Sequence, residues 1–403
     1  MAEPTLLIDH TLKQIQFIFR YMGINIKVEK KTRMDTYRCW LTTFINFIWL
    51  NYGTIGATHF LCVGFVENKS FTDLTYECPC IILCLLSAVK GLSMVIKEKN
   101  IDAMINLIRK LEIAQKSRYQ DAVTEKIMTT DSNFLDNILR NLKRFYLFML
   151  ISFALSPMSR ILLHYWMTNE VQLELPFLIS YPFDTSDIKY YPWAYLHQIW
   201  SEILAVSGIG AADFMFYVFC SYLCIQFRLL RHYIEIFIPS ELKGDQDKNE
   251  IRLKLVELIQ WHQQLFSSVN VLEELYTAST LFNFVASSAL ICLTGFNVMV
   301  IEDIAFRVSF FCFLLLSVLQ IFFFCFFGDL LMESSSLQNS RDSREVKGRV
   351  RTHGIHLCQY IVKIRLFEEI SQTPCVLTAC NFAEVSLKAF MKVGTDFISY
   401  TKL

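Results

Sequence analysis

Pro374-Cys375-Val376-Leu377-Thr378-Ala379-Cys380, running on through Asn381-Phe382-Ala383-Glu384 to Ser399-Tyr400-Thr401-Lys402-Leu403, is the stretch whose reading decides the fold. A helix rises about 1.5 Å per residue, so roughly 20 residues cross about 30 Å of bilayer hydrocarbon, and this segment is long enough. It is also the most polar crossing segment in the chain. Glu384, Lys388, Lys392 and Asp396 fall inside it, and each charge near the centre of a lipid-facing helix disfavours insertion by about 2.5 to 3.5 kcal/mol. The spacing predicts one helix over 376–403 with a single polar side: Lys388, Lys392, Thr395, Ser399 and Lys402 advance at helical spacing, while Phe390, Val393, Phe397 and Ile398 lie off that stripe. A spanning helix with one wet side is what a pore built by several subunits around an axis requires. The other reading is that these side chains pair with buried groups on neighbouring helices. Lys392 sits four residues before Asp396, so an ion pair along the helix is expected to relieve its charge.

Working outward, the 403 residues are 53% hydrophobic and only 19% charged, too apolar for a soluble domain and typical of a multi-span membrane protein. Residues 1–12 carry Glu3 and Asp9 and no apolar run ending in small residues, so no cleavable signal is expected and insertion begins with the first span. Most cysteines, among them Cys62, Cys84, Cys220, Cys224, Cys292, Cys312 and Cys325, lie in apolar runs and read as small packing residues. His353 and His356 have no acidic or cysteine partners nearby, so no metal site is expected, and nothing calls for a cofactor.

In chain order, 1–39 reads as an amphipathic, basic cytoplasmic segment lying at the membrane surface, followed by six spans at about 40–66, 78–96, 145–167, 196–225, 276–300 and 304–327. Between the second and third spans, Ile101, Met104, Ile105, Ile108 and Leu111 recur at helical spacing among charges, so these helices are expected to extend into the cytosol. Loop 169–195 holds Pro176, Pro182 and Pro192 among aromatic residues and reads as a lid that cannot be helical throughout. The fourth span carries Glu202 and Asp213, best explained as packing or relay partners. Residues 328–375 form a polar connection to the seventh span at 376–403.

Lys plus Arg number 30 on one side of this arrangement and 3 on the other, counting Arg307 at the mouth of the sixth span. The positive-inside rule therefore predicts an all-α membrane protein with seven transmembrane helices, a cytoplasmic N-terminus, an extracellular C-terminus, and helices extended into the cytosol as an anchor. Asn68-Lys69-Ser70, the one Asn-x-Ser/Thr sequon found, then lies outside and Asn68 is expected to accept a glycan. A seven-span G-protein-coupled receptor has the opposite orientation, and the chain lacks a loop cysteine in 169–195 and Asn-Pro-x-x-Tyr in its last span. A small-molecule transporter would show repeats and matched Gly/Pro-broken spans. No Ser/His/Asp grouping, phosphate loop or metal cluster supports an enzyme.

Several pieces in order are Tyr181-Pro182-Phe183-Asp184 with Pro192-Trp193, Asp213 with Gln226-Phe227-x-x-Leu230, and Ile259-x-x-His262-Gln263. They continue with Phe327-Gly328-Asp329-Leu330, Ser334-Ser335 and Ser371-Gln372-x-Pro374-Cys375-x-Leu377-Thr378-Ala379. On an inverted seven-span topology, these make a sequence that resembles the insect odorant receptors over most of its length. The resemblance implies a subunit of an odorant-gated cation channel in the plasma membrane of olfactory sensory neuron dendrites. Its partners would be a shared co-receptor in a heterotetramer, a small volatile odorant, the lipid bilayer and permeating cations, with no nucleic acid. The short connection between the fourth and fifth spans marks the odour-specific subunit, because the co-receptor has a long insertion there.

The resemblance also implies that odorant binds in the outer half of the bundle among the second, third, fourth and sixth spans. Direction of travel then selects Leu83 and Ser87, Ser156, Arg160 and His164, Trp200, Leu204 and Ser207, and Phe310 and Phe313, each with ordinary packing as its alternative. Arg160 is expected to pair with Glu202 at similar depth rather than to touch a neutral odorant.

Overall fold

The computed structural model describes residues 6–23, 33–69, 71–118, 121–241, 248–302, 304–335, 377–379 and 383–392. The described chain is almost entirely helical: α1 Leu7–Tyr21, α2 Arg33–Val66, α3 Phe71–Ile96, α4 Glu98–Arg118, α5 Ala122–Thr168, α6 Tyr191–Glu241, α7 Lys248–Val300 and α8 Ile304–Ser335. Five of these helices (α3, α5, α6, α7 and α8) are long and apolar enough to cross a membrane. α2 is less apolar but carries no charge over 40–66, and its polar side chains are satisfied inside the bundle. Thr54 and Thr58 donate to the carbonyls of Leu50 and Thr54, and the Asn46 amide donates to the carbonyl of Tyr21. Around the outside lies a belt of exposed large apolar side chains, including Phe44, Ile55, Phe65, Leu155 and Leu162, a surface that suits hydrocarbon and not water.

α6 is the axis. Residues 208–227 are buried without exception, as a helix apolar on every side must be, and α3, α5, α7 and α8 surround it. Its small residues admit close neighbours: a Cβ on Gly208 would come within 2.2 Å of the Ser87 hydroxyl. One ion pair is sealed inside this packing. Lys90 Nζ lies 2.6 Å from Asp213 Oδ1, both side chains 1% exposed. Asp213 Oδ2 accepts from the Gln320 amide at 3.0 Å, and the same amide donates to Asn283 Oδ1 at 3.0 Å. Four helices, α3, α6, α8 and α7, thus meet at one polar knot.

α1 packs against the bundle, its apolar face (Ile8, Leu12, Ile15, Phe19) fully covered by protein. The helix is amphipathic as the sequence shows, but its neighbours supply the cover that lipid would have given. Both oxygens of Glu112 accept the first N–H groups of α1, from Leu7 at 2.7 Å and Ile8 at 3.3 Å, closing donors a helix start leaves open. Arg109 binds Asp9 at 2.8 Å, and Thr11 donates to Asp136 at 2.9 Å.

The seventh segment needs correction, since it does not enter as a helix at 376. β1 Thr378–Ala379 and β2 Ala383–Glu384 pair antiparallel, and helix begins after them, described over 387–392. The hairpin is fastened to α7: Thr277 Oγ1 donates to the Thr378 carbonyl at 3.0 Å, and Thr378 Oγ1 donates to Glu273 at 2.5 Å. Partners of that kind, remote in sequence, override the helical reading. Leu387 and Phe390 pack on the cluster of Ile291, Ile321 and Cys325, while Lys388, Met391 and Lys392 are exposed. Thr395, Ser399 and Lys402, together with Asp396, lie outside the described residues.

Candidate functional site

Near the end of the bundle capped by loop 169–190, the helices part around a cavity of about 80 Å³. α2 contributes Leu50, Gly53, Thr54 and Ala57; α3 contributes Glu77, Cys80, Ile81, Leu83 and Cys84; α5 contributes Tyr146, Met149 and Phe153. α6 presents Ser201, Glu202, Ala205, Val206 and Ile209, and α8 presents Phe313, Leu316, Ser317 and Gln320.

Phe177 and Ile179 of the loop form the cover. Their backbone is pinned on three sides. Phe177 and the Gln198 side chain exchange two hydrogen bonds, at 2.9 and 3.0 Å. Leu178 N–H donates to Glu77 Oε2 at 3.0 Å, and Ser180 N–H donates to the Gly56 carbonyl at 3.2 Å. The lid comes this close because glycine lies beneath it: a Cβ on Gly56 would stand 2.7 Å from Ile179 Cγ2 and 2.8 Å from the Ser180 carbonyl oxygen. Beyond this, the Tyr181 hydroxyl shares a 2.8 Å hydrogen bond with His197 Nδ1. Burial raises the Tyr181 phenol well above its ordinary pKa, so it stays an O–H donor.

A smaller recess adjoins the cavity, sharing Cys80, Phe153, Phe177 and Phe313 with it and adding Ser156, Arg160 and Phe310. Of the residues expected from sequence, Leu83 and Phe313 therefore line the main cavity, and Ser156, Arg160 and Phe310 the recess. Ser87 and Leu204 line a different hollow, between α2 and α3 with Met22. Trp200 meets Tyr21 edge-on at 6.4 Å, His164 is half-exposed and bonds the Glu170 carbonyl at 3.1 Å, and Ser207 lines none of these spaces. Arg160 does not pair with Glu202. It binds Glu174 of the loop at 2.5 Å and Ser156 at 2.9 Å, and lies over the Phe306 ring at 4.1 Å, because the loop folds a nearer carboxylate onto it. On α6, Trp200, Leu204 and Ser207 lie on the side of the helix away from the main cavity, which is lined by Ser201, Glu202, Ala205, Val206 and Ile209. The loop expected as a lid supplies Phe177 and Ile179, and α2, not expected as a wall, is signalled in the sequence by the glycines Gly53 and Gly56.

Among the described residues no group of three His, Cys, Asp or Glu side chains could hold a metal ion, and the described cysteines are free thiols. The family model described as 7tm Odorant receptor matches residues 70–340. The chain belongs to the odorant receptor family.

Curated odorant receptors from Drosophila melanogaster agree. Putative odorant receptor 92a is 22% identical, covering 87% of this chain and 82% of its own length. Odorant receptor 67c is 23% identical, covering 94% and 91%. Among solved structures, the insect olfactory receptor OR5 from Machilis hrabei in complex with eugenol superposes with a TM-score of 0.78 at 16% identity, covering 98% of this chain and 97% of that one. A second structure of the insect olfactory receptor OR5 from Machilis hrabei gives 0.74 at 15% identity. The odorant receptor fold is thus an all-α, seven-helix membrane bundle, and membership in a receptor family sets aside the enzyme reading. In this receptor, Ala205→Phe adds a phenyl ring to the cavity wall where Ala205 is 7% exposed. It is expected to weaken binding of bulky ligands at least about tenfold while sparing the smallest, at about 1–3 kcal/mol of stability. Ligand titrations of the purified receptor check this, and a uniform loss across ligand sizes would contradict it.

Proposed function

We propose that this receptor is the odour-specific subunit of a heterotetrameric, odorant-gated cation channel, assembled with a shared co-receptor in the plasma membrane of olfactory sensory neuron dendrites. The observation that carries the reading is the lidded, mostly apolar cavity enclosed by five helices. Such a lining binds small volatile molecules by shape and apolar contact, and the structurally similar OR5 was solved with eugenol. In this reading the N-terminus is cytoplasmic, in keeping with the charge asymmetry, and Asn68 and the lid are extracellular. The cytoplasmic ends of α4 to α7 form the anchor, and the segment from Leu387 to Leu403, rather than all of 376–403, lines the pore. Support for the pore comes from 387–392, where Lys388 and Lys392 are exposed while Leu387 and Phe390 pack inward.

The test is current recording from cells expressing this chain with and without the co-receptor, across a panel of volatiles. Odorant-evoked cation current is expected with both subunits and not with this chain alone. Absence of any evoked current from the pair, with both subunits at the cell surface, would refute the channel reading.

A further inference from the structure

The polar groups on the cavity wall are not a random remainder. Thr54, Ser201 and Ser317 donate their hydroxyls to carbonyls of their own helices, at 2.9, 2.8 and 2.9 Å. The Gln320 amide is engaged with Asp213 and Asn283. These donors are occupied. The carboxyl of Glu77 is in the opposite condition: the side chain is 1% exposed, Oε2 holds the Leu178 N–H of the lid, and Oε1 is buried with no hydrogen-bond partner. Glu202, from α6, lines the same cavity, and no ion pair among the described residues engages either carboxyl. An unpartnered buried oxygen of this kind is unfavourable, and a ligand that donates to it relieves that cost.

We infer that the receptor selects ligands with a hydroxyl head on an apolar body, alcohols or phenols, whose O–H engages Glu77 Oε1 beneath the lid. This rests on the cavity being the odorant site. A hydroxyl fits because it both donates and accepts: it donates to a carboxylate oxygen and can also accept from a protonated acid. An ether or ester can only accept, and an ammonium can only donate. Since the other oxygen of the same carboxyl holds the lid backbone, the ligand head and the lid share one side chain, and head-group recognition takes place at the point where the cover is fastened.

The test uses the purified full-length chain in detergent, titrated with n-octanol, its isomer methyl heptyl ether, and n-octylamine, read by the shift in unfolding temperature. The same compounds are applied to cells expressing the chain with the co-receptor. Octanol is expected to bind about tenfold more tightly than the ether; Glu77→Leu, which also releases the Leu178 N–H of the lid, is expected to abolish that ratio by weakening octanol about tenfold more than the ether. If Glu77→Leu does not fold, the wild-type ratio of octanol to ether decides alone. Equal affinity for octanol and ether, parallel loss of both in Glu77→Leu, or binding confined to the amine overturns the inference. Hydroxyl-selective binding without evoked current would leave the inference standing and remove the channel reading. Current evoked equally by octanol and ether would do the reverse.

Discussion

Asp213→Ala is expected to unfold the receptor or leave it retained inside the cell. The substitution strands Lys90 on α3, 1% exposed, with its ion-pair partner gone. It also frees one of the two acceptors that fix the Gln320 amide. Removing one partner of a buried pair costs on the order of 3–5 kcal/mol, because the remaining charge has neither water nor a counterion. That is a large share of the stability of an ordinary domain. Replacing both members by apolar residues of similar volume, Lys90→Met with Asp213→Leu, removes the stranded charge and is expected to restore most of the folded protein. The measurement is surface expression together with the thermal midpoint in detergent. An Asp213→Ala receptor with wild-type values for both would show that the pair contributes nothing.

The second large effect is expected at the lid. Gly56→Val places branched carbon where Ile179 Cγ2 and the Ser180 carbonyl oxygen already stand, 2.7 and 2.8 Å from the first added atom. The Ser180 oxygen is backbone and cannot rotate away, so the cover must lift, breaking the Ser180-to-Gly56 hydrogen bond and opening the cavity to water. Ligand affinity is expected to fall by about tenfold or more, while the helices, whose contacts are elsewhere, lose only the roughly 1–3 kcal/mol of local overpacking. Proteolysis within 177–190 should accelerate in the same variant. Gly53→Ala provides the contrast: its Cβ meets the edge of the His197 ring at 3.2 Å, a side chain that can yield, and a milder loss is expected. Unchanged affinity and proteolysis in Gly56→Val would mean that the cover is not held by this glycine.

The long helices were legible in the sequence because spanning segments announce themselves by length and apolarity, and α4 by the helical spacing of Ile101, Met104, Ile105, Ile108 and Leu111 among charges. Rotation about an axis is another matter. α6 is covered on all sides over 208–227, so its apolar pattern carries no phase and does not tell that Ala205 and Val206, rather than Leu204 and Ser207, line the main cavity. The partner of Asp213 was hidden for a related reason: Lys90 lies on another helix, and no local spacing connects the two. The loop carboxylate Glu174 could not be placed beside Arg160 until the path of 169–190 was known. α1 was recognised as amphipathic, but an apolar stripe does not say whether lipid or protein will cover it.

The hairpin ahead of the last helix has a mechanical consequence. Val385 donates its N–H to the Leu377 carbonyl at 2.9 Å, and its own carbonyl oxygen lies 2.6 Å from where a Cβ on Gly328 of α8 would be. Thr378, seven residues earlier, is tied to Glu273 and Thr277 of α7. The segment leaving Val385 is therefore hinged at its root between two helices that also build the bundle core. The helical turns of 387–392 can tilt about that root but cannot slide along their own length, so a small change in the angle between α7 and α8 is enlarged along them in proportion to the distance from the pivot.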